Sequence, residues 1–117
     1  MDFLSAIDAH GDWKKRLRAY LLNPDHSLSA QKVSSDSECD LGKWIYSGET
    51  RAYVCDACFQ KLKTVHAEFH EAAAEVVRRA NTGEVMSEED ALGSSSAFGM
   101  ASIAIIQCLI ELSRRAA

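Results

Sequence analysis

The chain has only one proline and six glycines in 117 residues, so little stands in the way of long uninterrupted helices. No segment alternates apolar and polar residues with a period of two, and no β-strand is expected. Basic clusters are equally scarce. Nothing exceeds KKRLR at 14–18 and the arginine pairs at 78–79 and 114–115, and 13 cations against 17 anions leave a net charge of -4. That balance argues against a nucleic-acid partner. The longest apolar-leaning stretch, from Ala97 to Leu112, is interrupted by Ser102, Gln107 and Glu111, and reads as too short and too polar to span a bilayer. The N-terminus, MDFLSAIDAH, lacks the basic start and apolar centre of a secretory signal, which makes the cytoplasm the expected compartment and membrane contact unexpected. Four cysteines in that setting read as metal ligands, reactive thiols or core residues rather than disulfides.

What is present is an ordinary globular composition, 47% apolar and 26% charged, of a length suited to one domain spanning residues 1–117. Phe3, Ile7, His10, Leu17 and Leu21 fall on or near one face of a first helix, from about Phe3 to Leu22, and Asn23-Pro24-Asp25 stops it. Residues 26–38 are polar and read as a loop with at most one weak turn. Leu41, Trp44 and Ile45 mark a short helix or turn between Cys39 and Ser47. A long helix is expected from about Thr50 to Ala80, with a stripe of Tyr53, Leu62, Phe69, Ala73, Val76 and Ala80, closed by Asn81-Thr82-Gly83. Ser87 reads as the N-cap of a last helix, with Glu88, Glu89 and Asp90 at its positive end and Phe98, Ala101, Ile105, Leu109 and Leu112 on its buried side. Gly93 and Gly99 interrupt that pattern and call for close packing or a local bend. The expected fold is all-α, a helical bundle of three long helices plus short helix or turn elements. Small residues on the last helix leave a second face for a homodimer.

The chemistry-bearing residues are His10, Cys39, His66 and His70. His66 and His70 lie four residues apart, one helical turn, a spacing at which two imidazoles can reach one ion. HxxxH alone fits two ordinary surface or capping histidines equally well. His10 lies near the buried stripe of the first helix, where an unpaired imidazole is unfavourable. Cys39 stands at the start of the short apolar segment, where a helix N-terminus favours the thiolate, although a partly buried structural thiol would look the same. Three histidines and one cysteine can close a tetrahedral zinc site. Four protein ligands leave no open position for a zinc-bound hydroxide. The residues between the two histidines are Ala67, Glu68 and Phe69, not the HExxH pattern, so catalysis is not expected.

The chain resembles the bacterial chemoreceptor zinc-binding (CZB) domain family. The resemblance rests on His10-x-x-Trp13, on Cys39-x-Leu41-Gly42-x-Trp44-x-Tyr46 and on His66-x-x-x-His70, in the family's order and at similar intervals. It implies one zinc ion per chain held by His10, Cys39, His66 and His70, with Trp13, Leu41, Gly42, Trp44 and Tyr46 mostly in packing roles. It also implies a cytoplasmic, commonly dimeric helical bundle that regulates a chemoreceptor signalling region or a diguanylate cyclase, fused or in trans, or that occurs alone. Zinc sensing and reaction of the ligating cysteine with hypochlorous acid are the activities it suggests; a structural or zinc-buffering role is the alternative. Cys55 and Cys58 form a CxxC outside the family motif, read as small helix residues, a disulfide pair or, with Cys39 and His66, a rival metal set. Cys108 is expected in core or dimer packing, and His26 in solvent.

Overall fold

A computed structural model describes residues 3–37, 39–47 and 56–116, and all of its regular structure there is helical. Among the described residues six helices follow one another: α1 (Phe3–Leu22), α2 (Ala30–Val33), α3 (Asp40–Ile45), α4 (Ala57–Asn81), α5 (Glu88–Leu92) and α6 (Ala97–Ala116). The all-helical architecture matches the expected fold class. α4 pairs most extensively with α6, α1 packs against both, and α2 lies against α4.

Each long helix forms where periodic apolar residues find a partner surface. On α6 the whole expected stripe, Phe98, Ala101, Ile105, Leu109 and Leu112, is buried, and on α4 so are Leu62, Phe69, Ala73, Val76 and Ala80. Phe69 and Phe98 meet with ring centroids 4.9 Å apart at the centre of that interface. Burying side chains of this size contributes roughly 1.5–3 kcal/mol each. By length and composition α6 is also apolar enough to cross a membrane, against the sequence expectation. Its buried stripe packs against α4. Its other face leaves Met100, Ile103 and Ile110 exposed.

The 26–38 segment, expected as loop with at most one weak turn, contains the one-turn helix α2. Helix ends differ from the sequence reading in two places. α4 starts at Ala57, because the Asp56 carboxylate accepts from the backbone N–H of Cys58 and Phe59 and caps the first turn. The start expected near Thr50, and with it Tyr53 and Cys55, lies outside the described residues. The helix begun at Ser87 breaks after Leu92. Ser96 starts a new one by accepting from Gly99 N–H at 3.0 Å, and its own hydroxyl donates to the Gly93 carbonyl at 2.6 Å. Gly99 is required there, since a Cβ would run into the Gly93 carbonyl. The two glycines therefore mark a corner, not a weak point in one long helix.

The connection between α1 and α2 is tied to the far end of α4. Tyr20 donates its hydroxyl to Asn81 Oδ1 at 2.5 Å, and Asn81 Nδ2 donates to the Leu28 carbonyl at 3.1 Å. His26 in this connection is exposed, as expected, with a left-handed φ of 63°.

Candidate metal centre

Three elements converge on one point inside the bundle. α1 supplies His10, α4 supplies His66 and His70, and the residue that opens α3 is Cys39. Cys39 occupies the N-cap of α3, where its sulfur accepts from Gly42 N–H at 3.3 Å, an arrangement that favours negative charge on sulfur. Gly42 permits this turn. A Cβ at that position would overlap the backbone carbonyl of Asp36, so only glycine lets residues 36–37 pass against α3. Leu41 and Trp44 anchor α3 in the core, with Trp44 edge-on to Phe3 and Phe59. Tyr46 departs from the packing role. It is half exposed, and its hydroxyl donates to Asp36 at 2.7 Å.

The ligand atoms of His10, Cys39, His66 and His70 all lie within 4.8 Å of one another. Cys39 Sγ is 3.3 Å from His66 Nε2 and 3.7 Å from His70 Nε2, and the two Nε2 atoms are 3.2 Å apart. Tetrahedral zinc, with bonds of about 2.0–2.1 Å to nitrogen and about 2.3 Å to sulfur, needs edges of about 3.4 Å between nitrogens and about 3.6 Å between nitrogen and sulfur. The three distances correspond to those edges within a few tenths of an ångström.

The outer ring atoms fix the tautomers. His10 Nδ1 donates to the Ala6 carbonyl at 2.8 Å and His70 Nδ1 to the Val33 carbonyl at 2.9 Å, leaving both Nε2 lone pairs for a metal. The Val33 carbonyl belongs to the last turn of α2, where helix carbonyls lack partners within the helix, so the short helix acts as the acceptor that orients His70. His10 Nε2, facing the cluster, is buried without a hydrogen-bond partner, as is His66 Nδ1. An orphaned, buried acceptor beside two imidazoles and a thiol is a donor set that a metal ion would satisfy.

The electrostatics agree. Burial, then the neighbouring His70 and His10, drives His66 from 6.5 down to about 3, and burial likewise lowers His10. Both imidazoles are held neutral, the form that coordinates a metal. Trp13 and Phe69 pack edge-on against His70 and His10 and help to shut out water. The histidines are 3%, 0% and 3% exposed, whereas Cys39 is only half-buried. A cavity of about 290 Å³ reaches Cys39 and His70 from the surface, with Trp13, Arg16 and Lys32 on its walls.

All four candidate residues found in the sequence are thus brought together. Cys58 is not among them: its sulfur lies against α6, 3.6 Å from the Cys108 carbonyl. The roles of the Ala6 and Val33 carbonyls are not legible in the sequence, because backbone acceptors leave no mark in residue identity. The Asp36–Tyr46 pair has only the weak signal of a tyrosine in the cysteine motif.

A family model for the chemoreceptor zinc-binding domain matches residues 10–77, more than half of the chain and inclusive of all four side chains. No curated protein and no solved structure matches the chain.

Proposed function

The chain belongs to the chemoreceptor zinc-binding domain family, and we propose that it is a sensory or regulatory domain in which His10, Cys39, His66 and His70 hold one zinc ion per chain. The observation that carries this reading is the convergence of three imidazoles and one thiol from three separate elements within 4.8 Å of one another, with the Cys39, His66 and His70 ligand atoms at tetrahedral edge lengths. Bound zinc would supply a cross-link with formal charge +1 between α1, the start of α3 and α4. The protein's own residues do the rest: Ala6 and Val33 orient two imidazoles, and Gly42 N–H supports the Cys39 thiolate. Four ligands leave no position for a reacting water, so the site serves binding rather than catalysis.

In this reading occupancy of the site sets how firmly α1 is held to α4, and that geometry is passed on to a chemoreceptor signalling region or a diguanylate cyclase in the cytoplasm. A homodimer would form through the second face of α6, where Met100, Ile103 and Ile110 remain exposed. The test is metal analysis of protein purified without added zinc. One zinc per chain in the wild type, lost in Cys39→Ala and His70→Ala, is the expected result; zinc content unchanged in both variants would overturn it.

A second reading, reaction of Cys39 with hypochlorous acid, is favoured by the half-burial of Cys39 and by the cavity that reaches it. Oxidising that thiolate would remove one ligand and loosen the other three. Under this reading, sub-stoichiometric hypochlorous acid releases zinc and modifies Cys39 before Cys58; the reverse order of modification refutes it.

A further inference from the structure

The remaining described cysteines, Cys58 and Cys108, lie on the two helices that form the main interface of the bundle. Cys58 is the second residue of α4, and the Asp56 cap fixes its backbone N–H at 2.8 Å. That anchoring turns the side chain toward α6, where the Cys58 thiol donates to the Cys108 carbonyl at 3.6 Å. The two thiols lie near enough to perturb each other electrostatically, and Cys108 is buried while Cys58 is half-buried. One thiol is therefore open to a small oxidant, and the second waits behind it.

We propose that Cys58 and Cys108 form a redox-active dithiol, a second oxidant-responsive site that closes into a disulfide between α4 and α6. The oxidant class is a hydroperoxide. The Cys58 thiolate takes the terminal oxygen, the O–O bond breaks, water or an alcohol leaves, and a sulfenic acid remains on Cys58. The Cys108 sulfur then attacks that sulfenic sulfur. The S–O bond breaks, the hydroxyl leaves as water with the Cys108 proton, and the S–S bond forms. In total, two thiols lose two electrons and two protons to one hydroperoxide. The raised proton affinity of Cys108, pushed up to about 11 by burial first and by Cys58 next, makes the second step the slow one and assigns first attack to Cys58. Cys58 precedes His66 by eight residues, about 12 Å along the helix axis, so the staple would clamp the helix that carries two of the four clustered side chains. The pairing does not depend on metal at the His–Cys cluster.

Trypsin separates the partners into peptides 52–61 and 80–114. The folded protein is treated with hydrogen peroxide, alkylated, run on a non-reducing gel and digested. The expected product migrates as a monomer and yields the two peptides joined, two hydrogens lighter and released by dithiothreitol. The link persists in Cys55→Ser, which removes the competing cysteine of the same peptide. In Cys108→Ala, sulfinic acid at Cys58 rises several-fold because no thiol resolves the sulfenic acid. A disulfide confined to peptide 52–61, a link found only between chains, or a Cys58 that reaches sulfinic acid with Cys108 untouched in the wild type would each overturn the proposal.

Discussion

Replacing Gly42 with alanine adds one methyl group next to the candidate metal centre, where there is no room for it. The new Cβ would sit inside the backbone carbonyl of Asp36, with Ser37 Cα at 3.0 Å. Both neighbours are main chain and cannot rotate away, so either α3 shifts or residues 36–37 move outward. Cys39 lies two residues beyond Ser37 and caps α3 itself, so either movement displaces its sulfur from its place 3.3 Å from His66 Nε2. Ligand distances at a zinc site hold to about 0.2 Å, which leaves no slack for that displacement. Overpacking of this kind costs about 1–3 kcal/mol. The metal-free protein can relax part of the strain and the metal-bound one cannot, so zinc affinity falls by roughly 5- to 150-fold, at about 1.4 kcal/mol per tenfold. Competition against a chromogenic zinc chelator measures the affinity, and thermal unfolding with and without zinc locates the strain. Affinity within twofold of wild type would refute the claim that Gly42 positions Cys39.

Gly11 provides the contrasting case: nothing lies within 4 Å of an added Cβ on exposed α1, and Gly11→Ala should raise the midpoint of thermal unfolding by a few degrees through roughly 0.5–1 kcal/mol of helix propensity, with zinc content unchanged. Asp56→Ala removes the acceptor for two N–H groups at the start of α4 and should cost about 1 kcal/mol by urea denaturation, with hydrogen exchange accelerating first at the amides of Cys58 and Phe59. The metal-free protein should lose stability on acidification. His66 and His10 have folded values below 6.5, so the unfolded chain binds more protons under mildly acidic conditions, and the contribution is complete above about pH 7. It declines as pH falls through 6.5, by about 1.4 kcal/mol per unit for His66 until it levels off near 3, and His10 adds in the same direction. Denaturation of the metal-free protein at pH 7.5, 6.0 and 5.0 reads the slope, and a His66→Phe variant with the same slope would contradict the assignment.

By itself the sequence determined whatever depends on short-range periodicity and residue type. The buried stripes of α4 and α6, the first helix from Phe3 to Leu22 and the four candidate ligands were legible, because helix faces repeat every 3.6 residues and metal ligands are few in kind. Tertiary structure decided everything that depends on chain segments far apart in sequence. Whether the long helix after Ser87 bends was settled by the approach of the Gly93 carbonyl to Gly99, and the need for glycine at position 42 by the passage of Asp36. The imidazole tautomers depend on carbonyls of Ala6 and Val33, the second of them 37 residues away from His70. Spacing placed His66 and His70 on one helix turn, but only packing of α1 and α3 against α4 brought His10 and Cys39 to the same point. A thiol and three imidazoles become a candidate metal site through such non-local contacts, which local patterning cannot encode.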